Sequence, residues 1–308
     1  MIVRDRPSIL SLFFVMRGSI VPQIAPQIVA IFALGAVVTA LHARYPEHFL
    51  TFSAAPFGLI GLALSIFLGF RNNACYDRWW EARKQWGQLV IDTRSLAREA
   101  GTLLDTSGDA GRAAQERMTR LTIAFTHALR HHLRGSDPWA EIAPFLDRDD
   151  VPALRASRNL PDAILRHLGG ELSNSLRRGL TTDILGRVLE ERITALAGVQ
   201  GACERILNTP LPFAYTLLLH RTAYMYCLLL PFGLVDTLGL LTPLVAAIVA
   251  YTFFGLDALS EELENPFGTS QHDLALKTMS RTIEINLREA LGEEDLPDPV
   301  RPAGYYLP

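Results

Sequence analysis

Three histidines close together in the sequence are the first candidates for chemistry. His127 and His131 are spaced by one helical turn, and His132 follows directly. Zinc sites use imidazole nitrogens at such helical spacing, together with further ligands that complete a tetrahedron. No cysteine and no third ligand of matching spacing accompanies these histidines. We therefore predict a packed or solvated histidine pair and no metal site.

Two groups of charged residues adjoin long apolar runs. His220 and Arg221 separate two uncharged runs, 206–219 and 222–235. An ionised group at membrane depth is costly unless it reaches water, a partner or the interface. Arg221 could bind an anion there, or its side chain could pack or reach the interface, and the depth of the pair decides between these possibilities. An acidic stretch after another apolar run could bind cations or simply be solvated. It consists of Asp257, Glu261, Glu262 and Glu264.

Enzymatic and nucleic-acid-binding chemistry find no support in the sequence. No nucleophile elbow, phosphate-binding loop, H-E-x-x-H zinc motif or dinucleotide fingerprint occurs. Between residues 71 and 205, 20 basic residues face 18 acidic ones, which leaves no strongly positive surface for nucleic acid. We therefore predict that the protein is not an enzyme and binds no nucleic acid.

Long uncharged stretches dominate the rest of the chain. Residues 24–41, 49–70 and 237–256 are uncharged runs of 18, 22 and 20 residues. Each run is long enough to cross a hydrocarbon core of about 30 Å as a helix. A fourth span, 211–232, is interrupted by the His220–Arg221 pair described above. The sequence therefore predicts an all-α integral membrane protein with four transmembrane helices and a helical cytoplasmic domain.

The predicted spans divide the chain into five segments. They are a cytoplasmic N-terminal segment 1–23, transmembrane helices one and two 24–70, a cytoplasmic helical domain 71–205, transmembrane helices three and four 206–256, and a cytoplasmic C-terminal helix with a mobile tail 257–308. Pro231 and Gly233 are expected to end the third transmembrane helix. The second span is expected to continue as a helix beyond residue 71, because 71–104 contains no proline. A single helix is expected over 172–207, and residues 137–161 are expected to be mostly loop.

The flanks of the spans indicate the orientation. Arginines and a lysine are concentrated before the first span and after the second, whereas Arg44 alone lies between them. The excess of basic residues marks the cytoplasmic side, so both termini are predicted to be cytoplasmic. The three cysteines, Cys75, Cys203 and Cys227, are too few and too widely spaced for a disulfide framework. We expect reduced, packed thiols.

Four short motifs resemble those of the bestrophin family. They are SIFLGF at 65–70, RWW at 78–80, PFAYT at 212–216 and NPFG at 265–268, and their order and spacing agree over almost the whole chain. The resemblance implies a homo-oligomer, a pentamer, in the inner membrane of a bacterium. The second helix of each chain would line the pore, surrounded by membrane lipids, with a helical vestibule on the cytoplasmic side.

The resemblance also implies two constrictions along the pore. Leu62, Ile66 and Phe70 would form an apolar neck, since they recur every four residues on one helix face. From the residues alone, this face could meet lipid, protein or a pore. Ile184 would form a narrow cytoplasmic aperture with Asp183 beside it. Asp183 could instead serve as a helix cap after two threonines.

The ion and the cofactors follow from further comparison with the family. Animal bestrophins carry aspartates after NPFG that form a calcium clasp, whereas here only Asp273 remains at 269–273. Calcium needs six to eight oxygen ligands, so we expect no calcium and no other cofactor. Bacterial members resemble cation channels, which favours monovalent cations such as Na⁺. A chloride or other anion channel is the alternative, followed by a secondary transporter or a membrane-anchored scaffold.

Overall fold

The structure is a computed structural model that describes residues 1–4, 10, 14–47 and 52–308. Within these residues the secondary structure is helical apart from isolated bridges that join Tyr306 to Ile2 and to Ala303. The α-helices are α1 (Val21–Arg44), α2 (Ala54–Leu103), α3 (Asp109–Arg134), α4 (Trp139–Ile142), α5 (Val151–Arg155), α6 (Leu160–Arg177), α7 (Asp183–Asn208), α8 (Phe213–Leu238), α9 (Thr242–Glu264) and α10 (Leu276–Ala290). The all-α prediction is confirmed. The first residues of the predicted second span, 49–51, lie outside the described residues.

The chain forms two compact units. An apolar unit comprises residues 5–79 and 210–266, and a polar unit comprises residues 1–4, 80–209 and 267–308. Helix α2 runs without interruption through the boundary at residue 80, in agreement with the prediction that the second span continues as a helix. The units therefore divide about nine residues beyond the predicted end of that span at Phe70.

The apolar unit contains the helices that can cross a membrane. Among the described residues, three helical stretches are long and apolar enough: Val21–Arg44, Ala54–Leu103 and Phe213–Glu264. The third stretch contains α8 and α9, which are separated by a short 3₁₀ turn, Gly239–Leu241. The ring centroids of Tyr224 and Phe254 lie 4.6 Å apart. His220, which is farther from the turn along α8, contacts Asp257, which is farther from the turn along α9. Helices α8 and α9 therefore lie side by side as an antiparallel hairpin.

The end of α8 corrects one prediction. Pro231 and Gly233 do not end the helix, which continues to Leu238. A proline removes only the one N–H that would bond the carbonyl of Cys227, and the other backbone groups of an apolar span still require partners inside the helix. The helix ends at Gly239, whose φ of +50° is a conformation that favours glycine.

Close backbone contact joins α1 to α9. A Cβ atom on Gly35 would lie 2.9 Å from the Cα of Pro243, so only glycine fits at this crossing. Buried apolar side chains from α1, α2, α8 and α9 form the core of this unit. The core residues include Ile24, Ile31, Leu64, Leu68, Leu219, Ala223, Cys227, Leu230, Ala246, Ala250, Phe253 and Phe254.

The polar unit packs around α3, which carries a buried face along its whole length. The helix predicted over 172–207 is wrong, because α6 ends at Arg177 and α7 begins at Asp183. Gly179 has a φ of +70°, which breaks the helix. Thr182 then caps α7 by accepting a hydrogen bond from the Leu185 N–H at 3.4 Å. The predicted loop 137–161 contains two short helices, α4 and α5.

The two ends of the chain pair within the polar unit. The Val3 N–H donates to the Tyr305 carbonyl, and the Leu307 N–H donates to the Met1 carbonyl, both at 2.8 Å. The C-terminal tail that the sequence predicted to be mobile is thus held by backbone hydrogen bonds. All three cysteines are free and buried, as expected for packed thiols.

Candidate ion pathway

The predicted neck residues lie on an outer face of α2. Leu62, Ile66 and Phe70 are 62%, 48% and 61% exposed in the isolated chain, whereas Leu64 and Leu68 on the inner face are 2% and 0% exposed. Three large apolar side chains in one row are therefore absent from the core of their own unit. Such a row requires lipid, another chain or a pore to cover it.

Small residues on α2 differ in what they contact. A Cβ atom on Gly61 would lie 2.6 Å from the hydroxyl oxygen of Tyr226, so Gly61 permits a close approach of α2 and α8 inside one chain. A Cβ atom added to Gly58 or to Gly69 would meet no other atom within 4 Å beyond the adjoining helix backbone. These two glycines therefore leave room on the open side of α2, where a second helix could approach closely.

The predicted aperture residues lie at the start of α7. Ile184 is 79% exposed, an unusual environment for an isoleucine, and Asp183 is also exposed. Thr182 accepts the capping hydrogen bond, and within the described part of the chain Asp183 forms no hydrogen bond or ion pair. Asp183 is the first residue of α7, so its carboxylate faces solvent at the positive end of the helix dipole. The neck row belongs to the apolar unit and this pair to the polar unit.

A buried ion pair lies within the apolar unit, where two apolar runs end. The guanidinium of Arg71, which is 2% exposed, pairs with the carboxylate of Asp257. The other oxygen of Asp257 lies 2.7 Å from Nδ1 of His220. These groups, with Glu261 and Glu264, line a cavity of about 340 Å³. His220 is therefore a half-exposed partner of a carboxylate, and part of the acidic stretch neutralises Arg71.

This ion pair was not predicted from the sequence. Its partners are 186 residues apart, and each lies where an apolar run ends. A basic residue at the end of one span and an acidic residue at the end of another are a usable signal, because charges at membrane depth require partners. Arg221, the other residue of the interrupting pair, is exposed in the isolated chain.

The histidine cluster forms part of a buried network in the polar unit. Nε2 of His127 lies 2.9 Å from Oε2 of Glu284, and Nδ1 lies 3.3 Å from Oε2 of Glu141. The contact with His127 is the largest influence on Glu141 and holds its pKa far below the usual value. Arg130 also pairs with Glu141 and donates to the Ser280 hydroxyl at 2.8 Å. The histidines thus join α3, α4 and α10 through ion pairs.

The residue that remains from the calcium clasp has a local partner. Asp273 is 4% exposed, and its Oδ2 accepts a hydrogen bond from the Ser270 N–H at 2.6 Å. This carboxylate closes a turn between the NPFG motif and α10. The loss of the clasp stays a prediction.

Comparison with known proteins identifies the family. The family model described as Bacterial/Fungal Bestrophin protein matches residues 1–289. The chain belongs to the bestrophin family. A bacterial bestrophin homologue from Klebsiella pneumoniae, solved by crystallography, superposes with a TM-score of 0.84 at 38% identity, covering 88% of this chain and 99% of that one. The resemblance of the four motifs is thus confirmed.

Two curated bestrophin relatives carry functional names. The voltage-dependent anion channel-forming protein mll4386 of Mesorhizobium japonicum is 50% identical over 294 residues, which is 95% of this chain and 93% of that protein. The voltage-dependent anion channel-forming protein YneE of Escherichia coli strain K12 is 42% identical over 307 residues, 99% of each chain. The chain is therefore a membrane-bound ion channel of the bestrophin family and not an enzyme.

Proposed function

We propose that this bestrophin forms a homo-oligomeric channel for monovalent cations such as Na⁺ in the bacterial inner membrane, with five chains around one axis. The observation that carries the oligomeric channel is the exposed apolar row of Leu62, Ile66 and Phe70, and the choice of cations rests on the exposed carboxylate of Asp183. Among the residues that the structure describes, a single chain leaves about half of this row uncovered. Symmetric association would turn it into three stacked apolar rings around a common axis.

The apolar unit supports four membrane crossings with both termini in the cytoplasm. Helix α1, the first part of α2, and the two halves of the α8–α9 hairpin would each cross once. The basic residues that flank these helices favour this orientation. Four helices of one chain seldom enclose an aqueous path, which is a further reason to expect association.

The neck would act as a hydrophobic gate. Rings of large apolar side chains can narrow a pore until water leaves it, and hydrated ions then cannot pass. Gly58 and Gly69 would let neighbouring chains approach α2 closely enough to form such rings. Opening would require only a small displacement of α2 relative to its neighbours.

The carboxylate of Asp183 supports cation selection. It is exposed, it lacks a partner within the described residues, and it adjoins the exposed Ile184. Repeated around an axis, these carboxylates would concentrate cations near the aperture, because rings of acidic side chains select by charge.

An anion channel with the same architecture is the second candidate. It is favoured by the names of the Mesorhizobium and Escherichia relatives, which describe voltage-dependent anion channel-forming proteins. The two candidates share the neck and differ only in the sign of the permeant ion.

Reversal potentials decide between the two candidates. The purified protein would be reconstituted in planar bilayers under a NaCl gradient, and unitary currents recorded. A reversal close to the Na⁺ equilibrium potential supports the proposal, whereas a reversal close to the chloride potential supports the second candidate. Saturable coupled flux without unitary steps would indicate a transporter, and a correctly inserted but silent protein would indicate a scaffold.

The role of Asp183 has a matched control. Asp183→Asn removes one carboxylate at the first residue of α7, and Asp109→Asn removes one at the first residue of α3. We expect the first substitution to lower the Na⁺ to Cl⁻ permeability ratio several-fold and the second to leave it unchanged. If both variants keep the same Na⁺ to Cl⁻ permeability ratio, Asp183 only stabilises the start of α7 and does not select ions.

A further inference from the structure

A second cavity lies in the polar unit, and neither the neck nor the aperture residues line it. It has a volume of about 260 Å³ and is formed by the end of α3, the segment before α4, and the turn after α5. Its polar lining consists of His131, His132, Ser136, Arg155, Ser157 and Arg158, with Trp139 on one side. No residue that lines it carries a carboxylate.

The two arginines have no acidic partners among the residues that the structure describes. The guanidinium of Arg155 lies over the ring of Trp139, 4.2 Å from its centroid. Stacking fixes the plane of the guanidinium and leaves its N–H groups available at the edge. Arg158 is exposed and forms no ion pair within the described ranges. Two positive charges therefore adjoin one small volume without compensation.

Hydrogen bonds at the floor of the cavity orient a further donor. Nη2 of Arg130 lies 2.7 Å from Nε2 of His131, so this ring nitrogen must accept. The ring proton is then on Nδ1, which donates to Oγ of Ser136 at 2.7 Å. Because Ser136 already accepts this bond, its own hydroxyl proton is free to donate into the cavity.

Two carboxylates contact histidines of the lining, and both also bind side chains outside it. Glu204 lies 3.3 Å from Nε2 of His132 and also accepts hydrogen bonds from Asn159 and Gln200. Glu141 is held by Arg130. Neither carboxylate lines the cavity, so the lining keeps a net positive charge.

We propose that this cavity binds a small phosphate-type oxyanion, either orthophosphate or a small phosphomonoester. The planar fork of an arginine matches two oxygens of a phosphate group, and charge-assisted hydrogen bonds are roughly twice as strong as neutral ones. The volume is below the 300–1,000 Å³ or so that is typical of sites for drug-sized ligands, which restricts the ligand to a small one. Because the site lies on residues 128–160, it is separate from the residues assigned to conduction.

Binding of orthophosphate to the purified full-length channel tests the proposal. Titration calorimetry in detergent or nanodiscs, at constant ionic strength set with NaCl, should show saturable binding with one site per chain. Sulfate should compete because it is a tetrahedral oxyanion of similar size, whereas additional chloride should not. Glycerol phosphate identifies the preferred form, because tighter binding than orthophosphate indicates a phosphomonoester and weaker binding indicates the free ion.

Arginine variants locate the site. We expect Arg158→Gln and Arg155→Gln each to weaken phosphate binding roughly tenfold, as loss of one charge-assisted contact does. Arg148→Gln removes an exposed positive charge from the same unit outside the cavity and should leave binding unchanged. Ser136→Ala gives a second, uncharged test with an expected loss of several-fold.

Three results would overturn the inference. They are the absence of saturable phosphate binding to the wild type, equal weakening in Arg148→Gln, and unchanged binding in the Arg158, Arg155 and Ser136 variants. Thermal unfolding curves without phosphate show whether each variant is folded. None of these measurements depends on conduction, so the site can fail while the channel proposal holds, and the reverse.

Discussion

Truncation of the neck is the sharpest test of how this channel closes. The triple variant Leu62→Ala, Ile66→Ala and Phe70→Ala removes the large apolar side chains of the row and retains the helix. We expect the oligomer to assemble and to conduct more, with a higher unitary conductance or open probability. Ion preference should change little, because no charge is altered.

The structure supplies the magnitudes. A fully buried leucine replaced by alanine costs about 2–5 kcal/mol of stability. The row is about half exposed in the isolated chain, so each truncation should cost the apolar unit roughly half as much. For conduction, Ile66→Ala removes three apolar carbons per chain, and each contributes about 0.8 kcal/mol of unfavourable contact with water. A barrier lowered by about 1.4 kcal/mol already raises a rate tenfold, so we expect at least a tenfold increase in current.

The assay compares single-channel currents and size-exclusion profiles of the wild type, the triple variant and a Leu68→Ala control. Leu68→Ala is the matched control, because Leu68 lies on the same helix but is fully buried. It should destabilise the chain without opening the pore. A triple variant that assembles normally and carries wild-type currents would show that the row is packing and that the gate lies elsewhere.

Three further predictions concern the polar and apolar units. His127→Gln should speed hydrogen exchange across α10, because the imidazole joins this helix to α3. The pKa of Glu141 lies below its ordinary value of 4.5 chiefly because of this histidine, so its stabilising effect is present above about pH 4.5 and is lost as pH falls. Between about pH 5 and 3, the free energy of unfolding should therefore fall less steeply with pH for His127→Gln than for the wild type. Equal slopes for the two proteins would contradict this assignment. Gly35→Val should prevent stable folding, since its side chain would meet the backbone of Pro243, whereas Gly58→Ala, with open space around it, should be tolerated. Yield and thermal unfolding in detergent check both substitutions.

Much of the fold could be predicted because apolar length and charge are local properties. The long uncharged runs suffice to place the membrane helices, and the absence of proline from 71–104 favours the continuous helix that follows. Pro231 misled the prediction, because proline is a reliable terminator only where water can satisfy the freed backbone groups. The break between α6 and α7 depends on Gly179, whose positive φ is not visible in a helical pattern.

The site residues could be placed on their elements, but their partners could not. The family resemblance selected the neck row, and the structure adds that this row is absent from the core of its own chain. The contacts of His127 with Glu284 and of Arg71 with Asp257 join residues more than 150 positions apart. Their spacing carries no periodic signal, because such pairs form only through tertiary packing.

The buried cysteines make the natural chain a suitable background for chemical labelling. Cys75, Cys203 and Cys227 each have no exposed surface, and burial raises the pKa of the Cys203 thiol to about 12. Because the thiolate is the reactive form, a water-soluble methanethiosulfonate reagent should leave the wild-type protein unmodified. A single reporter cysteine introduced at Ile66 or Ile184 would then be the one reactive thiol, and its modification rate in the presence and absence of a stimulus would measure water access at that depth.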